Sequence, residues 1–405
     1  MNPQATAATP ARRHSGTRTS ALLGTFVVLA ALLLAAGCAD GDGTTSPDDL
    51  RTPTGAETTP TESKTATPDY SERGPFAVGI ITLTLADERP VDVWYPAGDE
   101  ATQGVARFSH NLNDPWPESI RSKVPVVDDI VVNAYPDVAG SSDGPFPVIV
   151  ESHGFAGTRR DEALTYAHLA SWGFVVVAPE HLERNRATVV GQAAEFVELD
   201  DSAVISAALQ LVEQENAREG SPLEGVVDTA RLAVDGLSAG GRAALEYAMS
   251  TPVDAVIGRA PAGPEVLDAI NAPILIIASD RDVLVDLPGI EMTYEQLTGP
   301  RRLAVILNGG HNTFTDACAQ IRGLGGLDTV ALSEATGFPA ELLEAGNNGC
   351  TDEYVDPNVV RPLIRHLQIA HVRWALGLDG DDSALAPEYI AERFPGLLAD
   401  YRSDR

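Results

Sequence analysis

Short, continuously apolar runs recur along this chain, and they constrain its fold more than any other property. They fall at residues 80–85, 91–95, 146–150, 174–178, 232–234, 255–257, 274–277 and 303–307. A strand with one wet face alternates apolar and polar residues, whereas a strand covered on both faces does not. Stretches that read as helical lie between the runs, at 161–171, 201–215, 239–250 and 359–376. The expectation is an α/β fold: a mostly parallel central sheet with helices on both faces, opened by an antiparallel pair at 80–95. In such a sheet, chemistry gathers at the carboxyl ends of the strands.

One strand end is distinctive. The run at 232–234 leads into Gly236-Leu237-Ser238-Ala239-Gly240, and a small-residue helical segment follows. A turn this tight between strand and helix needs neighbours without bulk, and it lifts the serine hydroxyl clear of the sheet. Ser238 is therefore the candidate nucleophile. His311 is the best-placed base among eight histidines, because it follows the run at 303–307 through the flexible turn Asn308-Gly309-Gly310. His366 and His371 sit on the terminal helix beside Leu and Ile and read as structural. A carboxylate must fix the imidazole's tautomer. Both Asp280 and Asp282 follow the run at 274–277; Asp282 is favoured, where the loop turns back toward the histidine, and Asp280 reads as a turn cap. For an oxyanion, Ala239 N–H offers one donor. Phe155 N–H, in Ser152-His153-Gly154-Phe155, offers the other, with Gly154 admitting a close approach.

Taken with Gly74-Pro75-Phe76, Val93-Trp94-Tyr95-Pro96 and Val177-Ala178-Pro179-Glu180-His181, these motifs resemble the α/β-hydrolases, in the platelet-activating factor acetylhydrolase-like and dienelactone hydrolase-like branch. The resemblance covers roughly 74–376. It implies an α/β-hydrolase fold and a serine ester hydrolase using Ser238, Asp282 and His311, with no metal or organic cofactor. Leu237 stands where many relatives have His, and Glu180 where relatives often have Asp. Dienelactone hydrolases carry Cys at the elbow, so Ser238 argues against that chemistry.

The N-terminus reads as targeting. Arg12, Arg13 and Arg18 precede an apolar stretch ending at Cys38, and Leu34-Ala35-Ala36-Gly37-Cys38 resembles a bacterial lipobox. Residues 1–38 are expected to be a lipoprotein signal with lipid on Cys38, holding the protein to the extracytoplasmic face of a membrane. Residues 39–74, rich in Thr and Pro, read as a tether, and 75–405 as the catalytic domain. Losing residues 1–38 removes three arginines and no acids, taking the formal charge from −30 to −33. So acidic a chain excludes nucleic-acid binding through a basic patch. With Cys38 acylated, Cys318 and Cys350 are left either to form a disulfide or to stay buried thiols. The stretch 318–350 reads as an insertion, either a roof over the pocket or a stapled surface excursion.

The leading expectation is hydrolysis of short-acyl carboxylic esters, with phospholipid acetyl esters as a narrower variant. The alternatives are a polyester or cutin-type hydrolase, an amidase or transferase with the same residues, and a catalytically silent binding protein.

Overall fold

A computed structural model describes residues 67–191, 193–263 and 269–404. The signal segment, Cys38 and the tether up to residue 66 lie outside the described residues. The chain divides into two units at 64/65, and everything described belongs to the second.

Twelve strands are present among the described residues: β1 Ala77–Thr84, β2 Pro90–Ala97, β3 Ser109–His110, β4 Ile130–Val131, β5 Tyr135–Pro136 and β6 Phe146–Ser152, then β7 Val175–Pro179, β8 Val227–Leu237, β9 Ala255–Arg259, β10 Ile274–Ser279, β11 Arg301–Ile306 and β12 Leu398–Asp404. Ten of them form one sheet in the order β12-β11-β10-β9-β8-β6-β7-β2-β1-β5. From β7 through β6, β8, β9 and β10 to β11 the pairing is parallel. The antiparallel pairs are β1–β2, β2–β7 and β11–β12.

The apolar runs are continuous because both faces are covered. On β6, Ile149 joins one core cluster while Val148 and Val150 join the other, and Ile257 and Val256 on β9 divide in the same way. Helices Ala163–Ser171 and Pro357–Ala375 close the first face; Asp201–Ala217, Ala239–Ser250 and Leu287–Gln296 close the second. Asp200 caps its helix by accepting from Ala203 N at 2.7 Å.

Two features differ from the expectation. The boundary at residue 75 falls too late. Tyr70 is buried, its N–H donates to His366 Nδ1 at 3.1 Å, and its hydroxyl donates to Asp379 at 2.6 Å. An aromatic ring among Thr and Pro escapes a compositional reading, yet burying it favours docking over free tether. The second feature is β12, an edge strand carrying Asp400, Arg402 and Asp404. Such charges protect a sheet edge and erase the apolar pattern by which strands are read.

Candidate active site

β8 ends at Leu237, and helix Ala239–Ser250 begins two residues later. Between them Ser238 takes φ 58° and ψ −117°, a conformation that costs a non-glycine residue roughly 1–3 kcal/mol. The flanking glycines make that turn possible. A Cβ on Gly236 would stand 2.2 Å from Gly240 O, and one on Gly240 would stand 1.8 Å from Ser152 O. Ser238 N–H donates to Arg259 O at 2.9 Å, and Ser238 O accepts from Arg242 N and Ala262 N. The backbone is thus fixed on both sides of the hydroxyl.

Beneath the elbow lies a buried ionic cluster that sequence reasoning missed. The Arg259 guanidinium meets Asp235 Oδ1 at 2.8 Å, Glu151 Oε2 at 2.6 Å and also Glu162. Gln368 donates to Asp235 Oδ2 at 2.7 Å. Burial holds the Asp235 carboxyl well above the usual carboxylate range, with the nearby Glu151 charge adding to the effect, and burial raises Glu151 too. These residues occupy adjacent strands just before their carboxyl ends, which only the strand order could reveal.

His311 Nδ1 lies 2.7 Å from Asp282 Oδ2. Asp282 Oδ1 accepts from Leu284 N at 2.8 Å and Val285 N at 2.9 Å. A carboxylate that only accepts requires the proton on Nδ1, which leaves Nε2 as the basic atom. Asp280 has no hydrogen bond or ion pair to His311; its N–H pairs with Ile306 O. Ser238 and His311 line the same cavity without a hydrogen bond between them. Such bonds commonly tighten only when substrate is bound.

Asn348 holds this half of the site together, and no sequence motif marks it. Its Oδ1 accepts from His311 N at 2.6 Å, and its Nδ2 donates to Arg281 O at 3.0 Å and Tyr354 Oη at 2.9 Å. The loops bearing His311 and Asp282 are therefore joined through one buried amide.

The loop after β6 passes close to the elbow: a Cβ on Gly154 would lie 3.3 Å from Ser238 Cβ. Neither Phe155 N–H nor Ala239 N–H donates to another group among the described residues. Two buried histidines brace this loop. His153 Nε2 accepts from His181 N at 2.9 Å, so its Nδ1 carries the proton and donates to Gly154 O at 2.8 Å. His181 sits between Ser152 Oγ at 2.8 Å and Asp201 at 2.9 Å. Burial lowers His153 well below its ordinary value and takes His181 down to about 4, so both are neutral near pH 7. Arg184 completes the brace by donating to His153 O at 3.0 Å and Ser152 Oγ at 2.9 Å.

A cavity of about 350 Å³ opens over Ser238. One wall is the excursion after β2, which contributes Leu112, Trp116, Val124 and Val127. Arg186 ties that wall down, lying 5.3 Å from the Trp116 ring and donating to Leu112 O at 3.0 Å. A further part of the lining, the roof, comes from the stretch 318–350, with helices Ala317–Gly323, Thr329–Thr336 and Ala340–Asn347. Cys318 and Cys350 form a disulfide that closes its base. Among the described residues, no group of three or more His, Cys, Asp or Glu side chains could hold a metal ion.

The sheet order, with a serine elbow after β8, an aspartate after β10 and a histidine after β11, is that of an α/β-hydrolase. The model of a family described as PETase, PET hydrolase-like, matches residues 134–326, just under half of the chain, and supports the same superfamily. No curated protein matches the chain.

Proposed function

We propose that this protein is a serine carboxylic ester hydrolase with Ser238 as nucleophile, His311 as general acid and base, and Asp282 as the residue that orients the imidazole. The observation that carries this reading is the Asp282–His311 bond at 2.7 Å, with His311 lining one cavity together with a Ser238 held in a strained elbow. Nε2 of His311 takes the Ser238 proton as the hydroxyl attacks the ester carbonyl. The Phe155 and Ala239 N–H groups donate hydrogen bonds to the oxygen on which negative charge develops. The alcohol leaves with the proton from His311, and water then attacks the acyl-enzyme with His311 again as base.

The sequence reading favoured a short-acyl, acetylhydrolase-like enzyme, held to the membrane through Cys38. The leader pattern and the paired Cys318 and Cys350 support an oxidising, extracytoplasmic setting for that reading. Polyester hydrolysis is the second reading, favoured by the PET hydrolase-like match.

The test is labelling by a fluorophosphonate together with turnover of p-nitrophenyl esters. Stoichiometric label on Ser238, with loss of label and about a millionfold loss of kcat in Ser238→Ala, is the expected result. An unlabelled serine in folded protein would return the chain to the class of silent binding scaffolds.

A further inference from the structure

The stretch 318–350 gives the cavity a second property, an aliphatic section of lining. Three short helices and the turns between them bring Leu324, Leu327, Leu332, Phe338, Leu342 and Leu343 into the lining of the cavity. Leu332 and Leu343 are buried there, whereas Leu324 is 49% exposed at the outer edge. The cavity that holds Ser238 therefore has an aliphatic section in its lining, exposed to solvent at Leu324.

This roof is fixed to the site at its base. Besides the disulfide, Asn312 Nδ2 donates to Ala345 O at 2.7 Å, and Asn312 N donates to Asn348 O at 2.9 Å. Both Asn312 and Asn348 flank or contact His311, so the aliphatic surface keeps register with the reacting atoms. At about 350 Å³ the cavity falls within the range of small-molecule sites, roughly 300–1,000 Å³. An acetyl group would leave most of that aliphatic wall against water.

We infer that the insertion is a binding site for an unbranched aliphatic chain of medium length, carried by the ester that reacts at Ser238. This rests on Ser238 being the nucleophile. The chain belongs either to the acyl or to the alcohol part of the ester, since one apolar surface serves both. Each methylene moved from water onto the wall raises kcat/KM by about fourfold when fully buried.

Two ladders test the inference on the full chain: p-nitrophenyl acetate, butyrate, octanoate and palmitate, and methyl, butyl and octyl acetates followed by pH-stat. In at least one ladder kcat/KM should rise about tenfold or more from the shortest chain to the eight-carbon one. Which ladder rises assigns the chain to the acyl or the alcohol side. Leu327→Trp, which fills the cavity, and Leu324→Glu, which places charge at its exposed edge, should each lower the octyl-to-short ratio. Leu324 is half exposed, so Leu324→Glu keeps the test open if the tryptophan variant fails to fold. Ladders that are flat or falling, or a rise left unchanged in Leu324→Glu, would overturn the inference. Fluorophosphonate labelling of Ser238 separates the two failures: label without a chain-length effect removes only the aliphatic site, and no label removes the nucleophile.

Discussion

The elbow and the insertion are built on opposite principles. At the elbow no atom has room to move: Gly236 and Gly240 leave no space for a Cβ, Ser238 is strained, and the Arg259 cluster sits buried beneath it. The insertion rests on a disulfide and a few amide contacts, and much of its surface is exposed. Attack on a carbonyl tolerates displacements well under 1 Å, so the reacting groups sit on strand ends where backbone packing decides position. Gripping an aliphatic chain needs only an apolar wall of suitable size, and three short helices supply one. On the proposed reading, chemistry is placed by the sheet and selectivity by the stretch 318–350.

Four variants would break or sharpen this contrast. The largest effect is expected from Asp282→Asn, which keeps the shape of the site but removes the charge that fixes Nδ1–H. kcat should fall about 10⁴-fold, with the melting temperature nearly unchanged. Next, opening the disulfide by Cys318→Ser with Cys350→Ser should destabilise the protein by about 3–4 kcal/mol, read by urea denaturation. If the roof is a graft, elbow labelling by a small fluorophosphonate should survive in that variant below its melting temperature, while chain-length selectivity falls.

Asn348→Ala tests the join between the two regions. Loss of its bonds to His311 N and Arg281 O should lower kcat by about ten- to a hundredfold, with KM for p-nitrophenyl acetate changing much less. A KM effect alone would make Asn348 part of the roof and not a positioning residue for His311.

The smallest effect concerns pH. His181 is lowered from 6.5 to about 4 by burial, so between those values the unfolded chain binds a proton that the folded state refuses. Its contribution to stability is complete above about pH 6.5 and is lost as pH falls toward 4. Asp316, raised by burial to about 6, acts in the opposite direction, losing stability as pH rises through its own range. Comparing variants isolates the histidine. His181→Gln should show a smaller drop in urea midpoint from pH 7 to pH 4.5 than the parent protein. An equal drop would mean that the brace behind the oxyanion loop does not set acid sensitivity.

Strand positions were legible because burial on both faces writes itself as unbroken Val and Ile. Helix Ala239–Ser250 was legible to the residue, since a glycine elbow leaves few places for it to begin. The edge strand β12 and the two-stranded β3–β4 sheet were not, because edge strands and two-residue pairings carry no apolar run. Of the site, Ser238, His311 and Asp282 followed from strand-end position, and each lies where that reading put it relative to the sheet. Asn348 was hidden because nothing local marks an asparagine in a turn as the partner of a histidine 37 residues away.

By itself the sequence determined what depends on neighbours along the chain: the apolar strands, the tight serine turn, the order Ser238, Asp282, His311, and the candidate pairing of Cys318 with Cys350. Only the tertiary structure decided what depends on distance in space. It brought Glu151, Asp235 and Arg259 onto three adjacent strands, docked Tyr70 on helix Pro357–Ala375 and set the stretch 318–350 against the cavity. The reason is physical: a strand or a tight turn is specified by sterics within a few residues, whereas a cavity is the space left between segments far apart in the chain.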